Sequence, residues 1–290
     1  AEAGFPPGVV NIVTGHGDPC GRVLTTHPLV ARISFTGGPD SARHIVRNSA
    51  ENFAEVSLEL GGKSPVMVFE DADLESASNG IVAGIFGASG QSCVAGSRLY
   101  LQDSIADGFL DNLVSKASQI KIGDPLEEDS QMGPLATIGQ LERIEAQIDK
   151  AKQEGATVLH GGKKPAHLNA GWFYEPTIVD TELFGPVLSV LRFKDEDQVT
   201  RLANDSKYGL ACGIFTGDVG RAHRLARTTR AGIVWVNTYR VVSPIAEFGG
   251  FKDSGYGRES GAQAIYDYTR PKTVWINTST EPITNPFVMR

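Results

Sequence analysis

The sequence contains only three cysteines in 290 residues, Cys20, Cys93 and Cys212, and no two of them form a CxxC pair. Such a sparse, scattered set excludes a disulfide framework and favours a reducing, cytoplasmic setting. The six histidines show no metal-ligand spacing such as HxxxH, so no metal site is predicted.

Long apolar runs and an excess of positive charge are also missing. No apolar stretch approaches the roughly 20 residues needed to span a bilayer, and residues 1–4 do not begin a secretory signal. The formal net charge of −7 argues against a nucleic-acid surface, which would need clustered Lys and Arg. The hydrophobic content of 41% and charged content of 21% predict a globular protein with a sizeable core.

Strand and helix patterns alternate along most of the chain, which is typical of a parallel α/β protein. Strands are predicted at residues 9–13, 32–36, 56–60, 66–69, 98–101, 158–160, 172–179, 187–193, 210–215, 233–237 and 273–277. Helices are predicted at residues 41–50, 74–88, 105–120, 137–154, 195–204 and 219–230.

Two charged patterns each allow a functional and a structural interpretation. Asp71 and Asp73 stand at a helix entry, where they suggest either a metal site or a helix cap, and the cap is favoured. Four arginines recur every three residues from Arg221 to Arg230. They either recruit anions or pair with the excess carboxylates on the surface, and surface pairing is favoured.

A carboxylate and a thiol stand out as candidates for chemistry. Residues 59–65 (ELGGKSP) supply Glu59, and residues 90–93 (GQSC) supply Cys93 among small residues that leave room around the sulfur. A soft nucleophile and a base that activates water are what two-stage acyl chemistry needs. The structural alternatives are a Glu59–Lys63 ion pair and an inert thiol, as expected for Cys212 in its apolar strand.

These two segments resemble the signature motifs of the aldehyde dehydrogenase superfamily. Three further segments match in the right order, at residues 35–38 (FTGG), 182–187 (ELFGPV) and 248–255 (FGGFKDSG). The resemblance implies NAD(P)-dependent oxidation of an aldehyde to a carboxylic acid. Cys93 would form a thiohemiacetal that yields a hydride to the nicotinamide, and Glu59 would deprotonate the water that hydrolyses the resulting thioester. A glutamate here favours the hydrolytic branch over release to coenzyme A.

The resemblance also implies positions around the cofactor and the substrate. The cofactor, NAD in preference to NADP, would be contacted by Gly37, Gly38, Leu60, Gly61, Glu182 and Phe184. The aldehyde pocket would be formed by Ser92, Val94, Val242 and Phe248, whose mostly apolar character suggests an uncharged substrate. A homodimer or homotetramer is implied, with no nucleic acid or membrane partner.

The sequence departs from the family pattern at three places. Gly38 replaces a common serine, and Glu247 stands where proline usually precedes Phe248. Only Asp180 and Thr181 connect a predicted strand to residue 182, so the connection is shortened or residues are absent from it.

The implied fold is α/β with three parts. Residues 1–60 would be the C-terminal part of a Rossmann-like NAD(P)-binding domain, and residues 61–258 a catalytic α/β domain that bears the thiol. Residues 259–290 would form a helix and strand that return to the cofactor domain and the subunit interface. The oxyanion-binding asparagine of the family lies in an upstream Pro-Trp-Asn motif. Since such a donor is worth about 3–4 kcal/mol, this chain alone is expected to be nearly inactive.

The alternative to an enzyme is a truncated or crystallin-like member that keeps the fold without catalysis. Thiol labelling discriminates between the two, because a catalytic Cys93 should be alkylated by iodoacetamide faster than Cys20 and Cys212. Peptide mapping by mass spectrometry after timed quenching measures the three rates. Equally slow labelling of all three thiols would favour the non-catalytic alternative.

Overall fold

The computed structural model describes residues 3–180 and 187–288. Its helices are α1 (Arg22–Thr26), α2 (Pro39–Ser49), α3 (Leu74–Phe86), α4 (Ala106–Ser118), α5 (Ile138–Gln153), α6 (Glu196–Asn204), α7 (Val219–Thr228) and α8 (Gln263–Asp267). Its strands are β1 (Arg32–Gly37), β2 (Glu55–Leu60), β3 (Pro65–Val68), β4 (Arg98–Gln102), β5 (Val158–His160), β6 (Ile178–Val179), β7 (Leu188–Phe193), β8 (Tyr208–Gly209), β9 (Ala211–Phe215), β10 (Ile233–Val236), β11 (Phe251–Lys252) and β12 (Gly255–Tyr256).

The larger sheet has seven strands in the order β10-β9-β3-β4-β7-β6-β5. All neighbours are parallel except β5, which is antiparallel to β6. Every residue of β3 is buried, because helices cover both faces. Val66 and Val68 pack in the cluster with α3 and α4, whereas Met67 packs in the cluster with α6 and α7. The predicted α/β class is confirmed.

A smaller sheet, in the order β1-β2-β12, holds the N-terminal part of the fold. β1 and β2 are parallel, and β12 pairs antiparallel with β2. Residues near the C-terminus contact this sheet, since Arg32 of β1 forms an ion pair of 2.8 Å with Asp267 and Ser34 donates to Glu259. The chain returns to this sheet at β12, which lies within residues 61–258, the second of the three predicted parts. The boundaries of these parts stay a prediction.

The expected strands at residues 9–13 and 273–277 are wrong. Neither segment forms a strand, and their apolar side chains are exposed, with Ile12 at 88% and Trp275 at 92%. Alternating apolar residues favour extended backbone, but a strand also needs a neighbour to satisfy its N–H and C=O groups. Among the described residues no strand pairs with either segment.

Two other elements are shorter than expected. Of the predicted strand at residues 172–179, only β6 pairs in the sheet. The helix predicted at residues 74–88 ends at Phe86 and continues as a 3₁₀ turn, Gly87–Gly90, in which Ala88 has a φ of 54°. Positive φ is incompatible with an α-helix, so the turn redirects the chain toward Cys93.

The structural interpretation of the charged patterns is confirmed where the structure shows partners. Asp73 caps α3, since its carboxylate accepts the backbone N–H groups of Glu75 and Ser76. Arg221 forms an ion pair of 2.9 Å with Asp71. A further arginine of the stripe, on α7, pairs with a carboxylate on α6 (Arg224 and Glu196, 2.8 Å). No helix of the described chain is long and apolar enough to cross a membrane.

One buried arginine connects the central strand β4 to the loop after β2 and to α6. Arg98 is 1% exposed, and its guanidinium donates to the backbone oxygens of Lys63, Leu202 and Ala203 and to the hydroxyl of Tyr100. A buried cation is tolerated only when hydrogen bonds replace its lost hydration. These bonds fix the loop that follows Glu59 against the larger sheet.

Replacing this guanidinium should therefore weaken the fold strongly. Arg98→Met should lower the free energy of unfolding by about 2–4 kcal/mol, because it leaves buried carbonyl oxygens without donors. Urea titration followed by circular dichroism measures the change. The control, Arg192→Met, removes an exposed arginine that pairs with Asp107, and should cost less than about 1 kcal/mol. Equal losses in both variants would contradict this role for Arg98.

Candidate active site

Cys93 lies three residues after the 3₁₀ turn that follows α3. Tyr239 supports this segment, because its hydroxyl donates to the backbone oxygen of Val94 at 2.9 Å. The same ring lies against α3, where a methyl group built on Gly84 would come within 2.7 Å of it. Cys93 itself is half-buried and packs in a cluster whose other members are Val94, Leu210, Ala211, Ile233, Trp235, Tyr239 and Phe248.

The carboxylate of Glu59 lies on β2 and is buried, with the residue 5% exposed. Among the described residues neither carboxylate oxygen has a hydrogen-bond partner, so the suggested pairing with Lys63 is not formed. The backbone of Gly249 covers the carboxylate, since a methyl group built there would lie 2.9 Å from Oε1 of Glu59. This close approach requires glycine at position 249.

The structure brings the segments of Glu59 and Cys93 together. A methyl group built on Gly62, three residues after Glu59, would lie 3.3 Å from the backbone oxygen of Cys93. Ser254 fixes the intervening residues, because its backbone oxygen accepts the N–H of Leu60 at 2.9 Å and its hydroxyl donates to the oxygen of Gly61 at 2.9 Å. Burial and, to a smaller extent, the negative charge of Glu59 raise the pKa of the Cys93 thiol.

The pKa of Glu59 is raised from 4.5 to about 7. Burial is the largest cause, the charge of Glu259 also raises the pKa, and Arg258 acts in the opposite direction. A carboxylate with a pKa of about 7 exchanges its proton near neutral pH, which suits a general base.

Burial also raises the pKa of the Cys93 thiol. Its own N–H and that of Val94 favour the thiolate, as does the positive charge of Arg240, whereas Glu59 opposes it. Because burial has the largest effect, the thiol is protonated at neutral pH in this structure. Fixed N–H groups and one guanidinium are nevertheless in place to stabilise the anion once it forms.

Four of the expected cofactor residues meet at the carboxyl ends of β1 and β2. Gly37 is in register with Leu60, and Gly38 precedes α2. Methyl groups built on Gly38 or Gly61 would meet no atom within 4 Å, so both backbones are open to a ligand. An open glycine before an eleven-residue helix fits an anionic phosphate group. The other two expected residues, Glu182 and Phe184, lie outside the described residues.

The expected substrate residues divide into two groups. Val242 and Phe248 line a cavity of about 550 Å³, together with Trp235, Glu247 and Glu259. Ser92 and Val94 do not line it, although Val94 and Phe248 pack in the same cluster as Cys93. The cavity wall is mostly apolar but carries two carboxylates.

Several residues of the site were not identified from the sequence. Ser254 lies inside the quoted motif at residues 248–255, but its bond to Gly61 spans 193 residues and leaves no local pattern. Arg258 and Glu259 follow that motif closely, and they are adjacent residues of opposite charge with no pattern that marks them as part of a site. The glycine pair at 249–250 is the sequence feature that could have indicated a close approach of the backbone.

The raised pKa of Glu59 predicts how stability depends on pH. Folding favours the protonated carboxyl, so its contribution is full below 4.5 and is lost as the pH rises through about 7. Glu59→Gln removes the ionisation, and at pH 8.5 it should raise the free energy of unfolding by up to ~3 kcal/mol relative to the wild type. At pH 5 the two proteins should differ little. Urea unfolding at both pH values measures this, with the exposed Glu128→Gln as control, and a gain at pH 5 equal to that at pH 8.5 would contradict the burial argument.

Comparisons with known proteins identify the family. The model of the aldehyde dehydrogenase family matches residues 1–274. A (Z)-2-((N-methylformamido)methylene)-5-hydroxybutyrolactone dehydrogenase of Acinetobacter baylyi is 53% identical over 300 residues, which cover 100% of this chain and 61% of that protein. A betaine aldehyde dehydrogenase of Brucella melitensis is 44% identical over 95% of this chain and 59% of its own length.

A solved structure supports the same assignment. The NAD⁺ complex of an aldehyde dehydrogenase from Bacillus cereus superposes with a TM-score of 0.91 at 42% identity, over 96% of this chain and 58% of that chain. The chain thus spans about three-fifths of the length of the proteins it matches. The family match over nearly its whole length, the identity to full-length relatives and the shared fold show that the chain belongs to the aldehyde dehydrogenase family.

Proposed function

We propose that the protein oxidises an aldehyde to a carboxylic acid with NAD(P)⁺, using Cys93 as nucleophile and Glu59 as general base. The observation that carries this proposal is the pairing of a buried carboxylate, without a hydrogen-bond partner in the described chain, with a half-buried thiol within reach of its charge. Buried ionisable groups with strongly shifted pKa values are concentrated at catalytic sites.

In the first half-reaction Cys93 attacks the carbonyl carbon and forms a thiohemiacetal. The sulfur must lose its proton for this attack, and the N–H groups of Cys93 and Val94 together with Arg240 favour the resulting anion. Oxidation of the thiohemiacetal leaves an acyl group on the sulfur as a thioester. Trp235 and Phe248 pack in the same cluster as Cys93 and so limit the access of bulk water to the sulfur in this step.

In the second half-reaction Glu59 takes a proton from the water that attacks the thioester. Its pKa of about 7 leaves a substantial fraction ionised at physiological pH. The hydroxide equivalent then displaces the Cys93 sulfur and releases the carboxylic acid. Neither oxygen of the Glu59 carboxylate accepts a hydrogen bond within the described residues, so both keep their acceptor capacity for a water molecule.

NAD(P)⁺ is the proposed cofactor, with NAD preferred because the Bacillus cereus structure is an NAD⁺ complex. When bound, it accepts the hydride that converts the thiohemiacetal to the thioester. Gly37 and Gly38 would approach it at the N-terminus of α2, and Leu60 and Gly61 would border it at the end of β2. Leu60 and Gly61 directly follow Glu59, so the end of β2 connects the proposed cofactor position to the proposed base.

A purely structural member of the family is the alternative function. The buried carboxylate of Glu59 weighs against it, because an unpaired buried charge costs stability that a structural protein has no reason to lose.

The activity is proposed for the complete enzyme, whereas this chain alone is expected to be weakly active. The exposed apolar residues at 273–277 support a homodimer or homotetramer, and the scarcity of cysteine supports a cytoplasmic location.

The substrate class is open to a more specific proposal. The name of the Acinetobacter relative contains a 5-hydroxybutyrolactone. Such a lactone is the closed form of an aldehyde with a carboxylic acid, in which the carboxyl carbon is the fourth carbon counted from the aldehyde. An oxo acid of this kind is therefore one candidate substrate for this protein, in addition to the uncharged aldehydes suggested by the apolar wall.

The two proposed roles predict different defects. Incubated with NAD⁺ and an aldehyde, Cys93→Ser should form no covalent acyl adduct, whereas Glu59→Gln should accumulate a thioester whose lifetime is roughly 10²-fold longer than in the wild type. Intact-protein mass spectrometry at pH 8 detects the adduct, and hydroxylamine sensitivity identifies it as a thioester. The matched control is Cys212→Ser, which should behave as the wild type because that thiol is fully buried. Unchanged thioester lifetimes in Glu59→Gln would exclude the proposed base.

A further inference from the structure

Arg240 lies beside the thiol segment on the loop that follows β10. Its neighbour Tyr239 bonds to the backbone oxygen of Val94, which fixes the loop close to Cys93. The guanidinium Nη1 donates to the oxygen of Ala83 at 3.1 Å, near the C-terminal end of α3. A methyl group built on Gly87 would lie 2.5 Å from Nη1, so glycine at that position makes room for the guanidinium.

The backbone at Arg240 is in an uncommon conformation. Its φ is 61°, a left-handed value that few residues other than glycine adopt. Such a conformation costs free energy, and it persists only when surrounding contacts determine it. The anchoring of Tyr239 and the bond to Ala83 supply these contacts.

The positive charge of Arg240 is not neutralised by another residue of the described chain. No carboxylate lies within ion-pair distance of it there, although Arg221 and Arg224 both have such partners. Only one of its guanidinium nitrogens has a hydrogen-bond partner in the described residues, so the remaining donors are free. The charge nevertheless reaches the site, because it favours the thiolate of Cys93.

The other charges near the site are negative and lie elsewhere. Glu247 and Glu259 line the cavity beside Phe248, and Arg240 does not line it. Glu59 is buried under Gly249. An anionic group on a substrate is therefore repelled from the cavity and attracted to Arg240.

We propose that Arg240 is a specificity-determining residue that selects short aldehydes carrying a carboxylate, with the aldehyde carbon at Cys93 and the carboxylate at the free guanidinium donors. Guanidinium groups bind carboxylates through paired N–H donors, which fixes orientation as well as charge. This inference rests on the proposed role of Cys93 as the nucleophile.

The test compares two alkylating reagents of nearly equal size, anionic iodoacetate and neutral iodoacetamide. The rate of Cys93 modification by each is measured in the wild type, Arg240→Gln, Arg240→Lys and the exposed control Arg227→Gln, with N-acetylcysteinamide as the reference thiol. The iodoacetate-to-iodoacetamide ratio cancels the change in thiolate fraction that follows from removing a nearby charge. Repulsion of iodoacetate by Glu59 lowers this ratio equally in all four proteins, so it does not affect the comparison between them.

We expect the ratio to fall about fivefold in Arg240→Gln and to stay near the wild-type value in Arg227→Gln. In Arg240→Lys, which keeps the charge but loses the paired donors, the ratio should fall by less than in Arg240→Gln. Protection of Cys93 from iodoacetamide by succinic semialdehyde, compared with its methyl ester, should show the same dependence on residue 240. Thermal unfolding checks that each variant is folded.

Two outcomes distinguish a failure of this inference from a failure of the proposed function. If Cys93 reacts readily but the ratio is the same in Arg240→Gln and the wild type, the selection of anionic aldehydes is wrong and the proposed nucleophile is unaffected. If neither reagent nor either aldehyde distinguishes Cys93 from Cys20, the proposed function fails, and this inference fails with it.

Discussion

The buried carboxylate of Glu59 is the constraint on which the rest of the site depends. Its desolvation raises its pKa to about 7, and the same environment leaves its oxygens without partners in the described chain. Such a group is unfavourable for folding, so the surrounding structure must fix it in place. Ser254 does so through Leu60 and Gly61, and Gly249 closes over the carboxylate. A group with this cost is consistent with chemistry rather than with support of the fold.

The sequence predicted the framework of the fold well, because burial on both faces of a parallel sheet leaves continuous apolar runs. Strands such as β3 and β9 were recognisable for this reason. The segments at residues 9–13 and 273–277 have the same apolar character, yet they form no strand. A pattern of residues records the preference for extended backbone, but it does not record whether a neighbouring strand is present to pair with.

The residues of the candidate site could likewise be predicted only in part from the sequence. Glu59 and Cys93 were identifiable because their chemistry and spacing match a known family. The electrostatic neighbours Arg240 and Glu259 were not, because charge acts through space and these residues are far from Glu59 and Cys93 in sequence. The Gly37 and Gly38 turn was visible in the sequence, whereas its register with Leu60 needed the folded sheet.

The pairing of β12 with β2 has a consequence for the order of folding. Gly255 lies opposite Glu59, and Ser254 bonds to Gly61 across 193 residues. Contacts of such long sequence separation form slowly, and during synthesis they cannot form before both segments have left the ribosome. The segment of Cys93 is therefore synthesised long before Ser254, which fixes the segment of Glu59. The carboxylate of Glu59 thus stays without the residues that fix it until the chain has been synthesised beyond Ser254.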